Sequence, residues 1–220
     1  RNITIGAVIG FLLSCTAVMG ADNYLWIKKD SGAIQFNTIN TDDENGANGN
    51  WNTTNPYKEV TWNPKTKTYT NNMTLSSNGA NGKDGNKEIS YGLRLSGNLT
   101  GVNFTNNGSI MGVISTNFGY GNGIYNSAEM SNIENTGVIS GTGSSSSGKG
   151  IGYGINNESA TMGNIENTGV ISGSGIYNGY SESFGYGIYN NSSAEIKDIT
   201  NTGTISGYGN DTGGSSQGHG

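Results

Sequence analysis

A phrase that occurs three times constrains this chain more than any other feature of its sequence. The copies span residues 132–141, 164–173 and 198–207, and each contains Ile-x-Asn-Thr-Gly-x-Ile-Ser-Gly. A fainter copy occurs at 104–110. Repetition at a period of roughly 20 to 50 residues is typical of solenoids, because one such repeat cannot bury its apolar face alone. We therefore predict a repeat architecture.

Composition indicates that the repeats are strands. Glycine (38 residues) and asparagine together make about a third of the chain, and only 12% of the residues are charged. Glycine loses backbone entropy in a helix, and asparagine competes with helical hydrogen bonds. The low charge and the ordered isoleucine spacing argue against an ordinary disordered tail. A flexible Gly/Asn-rich segment is the alternative. We predict an all-β, right-handed parallel β-helix (solenoid) with an N-terminal β-rich cap.

Parity along an extended chain predicts the role of each position in the phrase. Alternate side chains of a strand share one face, so Ile133, Asn135 and Ile139 should point inward. We expect the isoleucines to stack into a continuous apolar column. The asparagines should stack at a corner and exchange amide hydrogen bonds, as in cross-β ladders. The glycines that follow are expected to supply the positive φ of a sharp corner. These glycines are Gly137, Gly169 and Gly203.

The repeats divide the chain into three predicted regions. We expect a signal peptide at 1–21, a cap at 22–90 and solenoid repeats at 91–220. The repeats, aligned on the Tyr-Gly that opens each unit, span 91–119, 120–152, 153–185 and 186–220. Since the last unit ends in mid-solenoid, we expect the solenoid to be truncated at its C-terminus.

The first residues have the layout of an export signal. An apolar run at 3–14 follows Arg1 and is continued by small residues as far as Ala21. The run is too short for a transmembrane helix, which needs about 20 apolar residues. We expect cleavage after Gly20 or Ala21, and secretion. The alternative is a lipobox that ends at Cys15, the single cysteine, which would then be lipidated.

The region at 22–90 differs in composition from the repeats, since it holds all three tryptophans and both prolines. Strand-prone stretches flank turns at 30–32 and 63–65, so we expect two hairpins. A cap would cover the unpaired strand edge of the first turn, which otherwise invites aggregation. Trp51, Tyr57 and Trp62 would then be packing residues, and the alternative is an aromatic platform for sugars.

The sequence shows no pattern that predicts binding of a nucleic acid, a metal or a cofactor. The net charge is -5 and the sequence pI is about 4.8, without a cluster of lysine and arginine. A nucleic-acid partner is therefore not expected. The segment 82–86 lacks the spaced acidic ligands of a calcium loop and is predicted to be a turn. We expect no cofactor and no metal, and we assign no catalytic or cofactor-binding residue.

Catalysis has one candidate pair in the repeats. Glu134 and Glu166 occupy equivalent positions in successive units, and paired carboxylates could serve a polysaccharide-degrading enzyme. The last copy has Thr200 at this position. The single histidine, His219, is predicted to lie in a frayed, glycine-rich end. A non-enzymatic role is therefore expected.

Length variation between the repeats indicates where a binding surface would lie. It concentrates at 141–152, 173–185 and 207–220, which we expect to project as loops from one side of the solenoid. Insertions in repeat proteins map to exposed loops, and exposed loops often carry function. A binding surface is therefore predicted on these loops.

The signal-like start, the Asp-Asn-Tyr-Leu-Trp at 22–26 and the repeats themselves resemble one family. They are similar to the passenger region of bacterial type V autotransporters, particularly the large adhesin-like passengers of fusobacteria. The resemblance implies export across the inner membrane, passage through the outer membrane by a C-terminal β-barrel, and display of a β-helical passenger. No alternating barrel strands follow the repeats, so we expect the barrel to be absent or to lie beyond this fragment.

Together these features predict a secreted or surface-displayed, outer membrane-associated passenger fragment. We expect it to act as a structural stalk or adhesin in cell attachment, with host-cell or bacterial surface receptors or glycans as partners. The alternative is a β-solenoid enzyme that degrades polysaccharide.

Overall fold

The chain forms a β-solenoid of about five turns. The computed structural model describes residues 23–30, 32–38, 51–84, 86–179, 182–211 and 213–220. These residues contain strands and turns and no helix, which confirms the predicted all-β solenoid. The predicted signal peptide at 1–21, which includes Cys15, lies outside the described residues.

The strands are short in the cap and longer in the repeats. In chain order they are β1 (Leu25–Lys29), β2 (Gln35–Asn37), β3 (Val60–Asn63), β4 (Thr68–Asn71), β5 (Thr74–Asn78), β6 (Gly82–Asp84), β7 (Lys87–Leu99), β8 (Asn103–Asn106), β9 (Ser109–Thr116), β10 (Gly119–Met130), β11 (Ile133–Asn135), β12 (Val138–Ser145), β13 (Gly150–Asn157), β14 (Thr161–Asn167), β15 (Val170–Tyr177), β16 (Glu182–Asn190), β17 (Glu195–Asn201), β18 (Thr204–Asp211) and β19 (Ser215–His219).

Each full turn contributes one strand to each of three faces. Face 1 consists of β1, β7, β10, β13, β16 and β19. Face 2 consists of β4, β8, β11, β14 and β17, and face 3 of β5, β9, β12, β15 and β18. Neighbouring strands within a face are parallel and in register, so that equivalent residues of successive turns lie side by side.

Apolar columns fill the interior behind the three faces, as parity predicted. Ile133 on face 2 and Ile139 on face 3 are both fully buried, and their register partners are Ile165 and Ile171. Full burial of one such side chain stabilises the fold by roughly 1.5 to 3 kcal/mol. The columns consist of Leu93, Ile124, Ile155 and Ile188, of Phe104, Ile133, Ile165 and Ile199, and of Leu75, Ile110, Ile139, Ile171 and Ile205.

The position of a turn in the solenoid decides how much its isoleucine contributes. Ile165 is fully buried between two turns, whereas Ile199 belongs to the last turn of face 2 and is 44% exposed. We expect Ile165→Ala to lower the free energy of unfolding by about 3 kcal/mol, because it leaves a cavity, and Ile199→Ala by about 1 kcal/mol. Chemical denaturation of the two variants measures the difference, and equal losses would contradict a column buried between turns.

An asparagine ladder runs along the corner between faces 2 and 3. The Nδ2 atom of each residue donates to Oδ1 of the residue one turn later: Asn71 to Asn106 at 2.8 Å, Asn106 to Asn135 at 2.8 Å, Asn135 to Asn167 at 2.7 Å and Asn167 to Asn201 at 2.7 Å. The predicted stack of asparagines is therefore confirmed, and it extends back into the predicted cap.

A second ladder follows the corner between faces 1 and 2. Asn126 donates to Asn157, and Asn157 donates to Asn190, each over 2.8 Å. These asparagines belong to further Ile-x-Asn triplets, the same signature that marks the first ladder. The triplet occurs twice in a turn and marks both corners, which the sequence analysis did not recognise.

The corner glycines do not have the predicted positive φ. Among the described residues, the glycines with positive φ are Gly32, Gly79, Gly97 and Gly101. A Cβ atom on Gly137 would instead lie 2.0 Å from the carbonyl oxygen of Gly108, one turn earlier. The prediction was wrong, because glycine is required here by the close approach of backbones between turns.

Glycines also line the place where faces 1 and 3 converge. A Cβ atom on Gly141 would lie 2.0 Å from the carbonyl oxygen of Tyr153 and 2.4 Å from that of Gly121. Gly143 is similarly placed against Ile151. The cross-section is therefore a wedge, wide at the isoleucine columns and too narrow for a side chain at these glycine positions.

The predicted cap hairpins are confirmed. Strand β2 pairs antiparallel with β1, and β3 pairs antiparallel with β4. Strands β2 and β3 thereby occupy the N-terminal edges of faces 1 and 2. The segment at 82–86 was predicted to be a turn, and this was wrong for residues 82–84, which form strand β6 and pair antiparallel with β7. Because β1, β4 and β5 pair parallel with repeat strands, the first solenoid turn is built within the segment predicted as cap.

The strand register differs from the Tyr-Gly alignment at one place. Tyr91 pairs with Asn122, and Asn122 pairs with Tyr153, whereas Tyr120 pairs with Ile151. The second unit is therefore offset by two residues from the predicted start at 120. An Asn-Gly dipeptide fills the place of Tyr-Gly there, because the glycine is what the converging backbones require.

Candidate functional site

The length-variable segments are mostly strands, so the prediction of projecting loops was wrong. Strand β12 continues to Ser145 and β13 begins at Gly150, which leaves 146–149 as the connection. In the next turn β15 ends at Tyr177 and β16 begins at Glu182. Alternate residues in these segments are glycine, which lets faces 1 and 3 pack backbone to backbone. Most residues of the segments predicted as loops therefore belong to strands.

The three aromatic residues proposed for the cap each contact a different partner. The ring of Trp51 lies edge-on to that of Trp26, with centroids 4.9 Å apart, and Trp62 lies 4.5 Å from Tyr69. The hydroxyl of Tyr57 donates to a main-chain carbonyl over 3.2 Å. These contacts agree with the packing interpretation of the three residues.

The two candidate glutamates lie side by side on face 2. Glu134 pairs in register with Glu166, and both side chains are exposed on the outer surface. Thr105 donates to the carboxylate of Glu134 over 3.3 Å, and Thr200 continues the column. The alignment of the pair is as the sequence predicted.

His219 lies in a strand, and the prediction of a frayed end was wrong. It belongs to β19 and pairs with Tyr186 of β16. The two rings are stacked, with centroids 5.2 Å apart and planes 8° from parallel. Gly218 permits this, because a Cβ atom there would lie 2.3 Å from the carbonyl oxygen of Gly207.

A groove of about 510 Å³ crosses the outer surface of face 1. We call it the tyrosine groove, after the five tyrosines in its lining. Its tyrosines and asparagines are Tyr91, Tyr120, Tyr125, Tyr153 and Tyr189, with Asn122 and Asn156.

A bend in the strands β7, β10, β13 and β16 places these side chains together. Ile124 is fully buried, and a Cβ atom on Gly123 would meet the side chain of Ile139 at 2.8 Å, so two consecutive residues face inward. As at a β-bulge, the alternation then restarts, and side chains three residues apart, Asn122 and Tyr125, both face outward. Simple parity cannot predict this arrangement, which explains why the sequence analysis missed the groove.

Aromatic rings pack against one another along the axis of the solenoid. Tyr153 stacks on Tyr186 of the next turn, with centroids 5.4 Å apart and planes 13° from parallel. Tyr189 contacts both rings, at 5.3 and 5.2 Å. At the other end of the groove, Tyr91 and Tyr125 are 5.0 Å apart in an edge-on arrangement. Such pairs add about 0.5 to 1.5 kcal/mol beyond the area that they bury, so the aromatic surface is held rigidly.

Two asparagines form the floor between the rings. Asn122 lies between Tyr91 and Tyr153 in the register of face 1, and Asn156 lies between Tyr125 and a tyrosine of the following turn. Nδ2 of Asn156 donates to Oδ1 of Asn122 over 3.1 Å. Asn156 is only 5% exposed, and its Oδ1 atom has no hydrogen-bond partner. A buried acceptor without a partner destabilises the fold by roughly 1 to 3 kcal/mol, so it requires an explanation.

Positive charge concentrates at one end of the groove. Lys83, Lys87 and Arg94 line it, and Glu158 is the one carboxylate among the described residues of the lining. The guanidinium carbon of Arg94 lies 3.9 Å from the ring centroid of Trp26, a cation-π contact that holds the side chain in place. The N-terminal end of the groove is therefore basic on a chain whose net charge is -5.

Two buried or half-buried tyrosines of this face, Tyr153 and Tyr186, retain their protons at physiological pH. Burial raises the pKa of the Tyr153 hydroxyl, and the neighbouring Tyr120 hydroxyl raises it further. Burial likewise raises the pKa of Tyr186, and the nearby Tyr189 adds to the effect. These hydroxyls are therefore neutral groups that can both donate and accept hydrogen bonds.

The described part of the chain offers no group of three or more histidine, cysteine, aspartate or glutamate residues that could hold a metal ion. Over the same ranges, no helix has the length and apolar character needed to cross a membrane. The described lining of the tyrosine groove supplies aromatic faces, hydroxyls, amides, cationic groups and one carboxylate.

Comparisons of this chain with models of protein families, with curated proteins and with solved structures find no match.

Proposed function

We propose that this chain is a fragment of a secreted or surface-displayed autotransporter passenger, which acts as a stalk or adhesin in cell attachment. The observation that carries the proposal is a solenoid of in-register turns that presents a rigid aromatic groove on one outer face. The groove supplies a surface for a partner, and the solenoid supplies a support that lengthens with each turn.

The internal architecture supports the role of a mechanical support. Two asparagine ladders and three apolar columns run along the axis, so each turn is bonded to its neighbours through side chains as well as backbone. Turns in such a stack are about 4.8 Å apart. Because stability is shared between neighbouring turns, a rod of this kind can be long without a large globular core.

The groove lining favours binding over catalysis. Its one carboxylate, Glu158, accepts a hydrogen bond from Asn191 over 2.9 Å, and the lining contains neither histidine nor cysteine. General acid-base or nucleophilic catalysis needs such groups held in a site. A polysaccharide-degrading enzyme that uses Glu134 and Glu166 is supported only by their adjacency on an exposed surface.

Surface display and attachment can be tested in the bacterium that encodes this chain. Antibodies raised against residues 51–220 are expected to label intact cells, and deletion of the coding segment should reduce attachment to host or partner cells. A strain that lacks an unrelated surface protein serves as the control. Labelling that requires permeabilised cells would refute the proposal, and so would unchanged attachment of the deletion strain.

A further inference from the structure

We propose that the tyrosine groove is a binding site for an oligosaccharide that carries a carboxylate group. This assignment of a ligand class rests on the proposed adhesin function for its biological meaning. The sugar would lie against the tyrosine rings, a hydroxyl would donate to Oδ1 of Asn156, and the carboxylate would lie at the end lined by Lys83, Lys87 and Arg94.

The unpartnered acceptor at the floor of the groove specifies the polar contact. Asn156 is 5% exposed, and its Oδ1 atom lacks a partner although the side chain lines a groove. A buried carbonyl oxygen has lost its water and gains from any donor that reaches it. A sugar hydroxyl can supply that donor and can accept from a neighbouring tyrosine hydroxyl at the same time.

The hydrogen-bond chain beneath the groove determines which way the amides point. The main-chain oxygen of Ser90 can only accept, so Nδ2 of Asn122 faces it, at 3.5 Å. Oδ1 of Asn122 then accepts from Nδ2 of Asn156 at 3.1 Å. This series of hydrogen bonds leaves Oδ1 as the atom of the Asn156 amide that has no partner. The groove therefore presents an acceptor and selects a ligand that can donate a hydrogen bond.

The aromatic walls specify a ligand with flat, weakly polar faces and many hydroxyls. Tyr125 and Tyr189 flank Asn156 in successive turns, and Tyr153 is held by its neighbours through ring contacts of 5.3 to 5.4 Å. A tyrosine ring offers an apolar face and a polar hydroxyl at its edge. The C–H face of a pyranose ring can pack on the apolar face of the tyrosine ring, and the equatorial hydroxyls of the sugar can hydrogen-bond to the tyrosine hydroxyl.

The charges specify an acidic ligand. Three of the 11 lysine and arginine residues of this acidic chain line the groove. Glu158, the one carboxylate among the described lining residues, accepts a hydrogen bond from Asn191. Complementary charge steers a ligand to the site and fixes its orientation. A carboxylate on the sugar would therefore lie at the basic N-terminal end of the groove.

A peptide strand fits the site less well. Strands β7, β10, β13 and β16 are hydrogen-bonded on both sides within face 1, so the floor of the groove has no open edge for an added strand. Nucleic acid would meet a chain with a net charge of -5 and only three cationic groups in the groove. An acidic oligosaccharide needs neither a strand edge nor an extended basic surface.

The experiment uses the purified 220-residue chain and two acidic probes, tri-galacturonate and sialyllactose, with their neutral methyl esters. We expect saturation-transfer NMR and calorimetry to show binding of at least one acid. Its affinity should be about tenfold higher than that of its ester, a difference that corresponds to about 1.4 kcal/mol. Octathymidylate is included as an anionic chain without a sugar carboxylate.

Three variants of the chain test the parts of the site. Lys83→Gln with Lys87→Gln should lower the affinity for the acid about tenfold, whereas the charge-matched pair Lys58→Gln with Lys65→Gln, on exposed cap lysines, should not. Tyr189→Ala should lower it about tenfold, and Tyr189→Phe should retain stacking. Tyr208→Ala, at a tyrosine that is 59% exposed outside the groove, is the matched aromatic control.

The outcomes separate this proposal from the proposed function. If neither acid binds, if octathymidylate binds in place of the acids, or if the control variants weaken binding as much as the groove variants, the groove assignment is overturned. Cell-surface labelling would be unaffected by any of these results. Conversely, a chain that binds acidic sugar but never reaches the cell surface would refute the adhesin role and leave the groove assignment intact.

Discussion

Replacement of Asn106 with aspartate is expected to lower the free energy of unfolding by about 4 kcal/mol at neutral pH. Asn106 is fully buried, and its Nδ2 atom donates to Oδ1 of Asn135 at 2.8 Å and to the carbonyl oxygens of Gly108 and Val138 at 3.2 and 3.1 Å. The carboxylate oxygen that replaces Nδ2 would face three acceptors without a donor, while the other oxygen would still accept from Nδ2 of Asn71. An uncompensated buried charge costs roughly 3 to 5 kcal/mol, a large share of a typical domain stability of about 5 to 15 kcal/mol.

The pH dependence of this variant has a definite sign. Burial favours the neutral form, so the introduced carboxyl should have a pKa above its unfolded value, and the protonated acid regains one donor. The destabilisation is therefore full above the folded pKa and decreases as the pH falls through it. Denaturant unfolding of the variant and the parent protein at several pH values measures the difference. A difference that grows as the pH falls would contradict a buried ladder.

The adjacent residue supplies a matched control for the ladder. Asn107 is exposed, and its Nδ2 atom donates to Asn72 over 2.9 Å at the surface. Asn107→Asp introduces the same group one residue away, where water solvates the charge. We expect a loss below about 1 kcal/mol. Similar losses for both variants would show that the ladder carries no special stability.

A valine at Gly141 is expected to destabilise the solenoid by about 4 kcal/mol or more, and to prevent folding if the stability is lower. Valine favours strands over glycine by at most about 1 kcal/mol. Against this, its Cβ atom would lie 2.0 Å from the carbonyl oxygen of Tyr153 and 2.4 Å from that of Gly121. Overpacking usually costs about 1 to 3 kcal/mol, and here the obstacles are backbone atoms of two strands, which cannot rotate away.

The control for this substitution lies in the same strand. Ser140→Val adds the same side chain to β12 on its outer surface, and we expect a change within about 0.5 kcal/mol or a slight gain. Far-UV circular dichroism and thermal unfolding of both variants measure the difference. A Gly141→Val protein that unfolds at the temperature of the parent would contradict the close approach of faces 1 and 3.

These two predictions concern different functions of the same repeated phrase. The asparagine bonds one turn to the next along the axis, and the final glycine lets two faces meet across the interior. The phrase is therefore a structural unit. The candidate binding surface lies elsewhere, on the outer surface of face 1, whose strands precede the phrase in each turn. A substitution in the tyrosine groove that keeps the ring, such as Tyr189→Phe, should accordingly leave the stability of the solenoid nearly unchanged, because both ring contacts are retained.

Local pattern was sufficient for much of the fold. Identical phrases must occupy identical places in successive turns, so the inward position of Ile133 and the stacking of Asn135 on Asn167 follow from period and parity alone. The two cap hairpins follow from strand-prone segments around turn residues. These features depend on residues close in sequence or repeated along it.

The tertiary structure alone decided the rest, because it depends on backbone from different turns and faces. The role of Gly137 is fixed by a carbonyl oxygen one turn away, and that of Gly141 by a strand on another face. Gly123 and Ile124 are consecutive and both face inward, so the alternation of inward and outward residues restarts after them. The tyrosines consequently face outward together. The alternation of residues along one strand contains no information about either effect. The sequence by itself therefore determined the repeat and its corners, and only the packing of the faces decided where the groove lies.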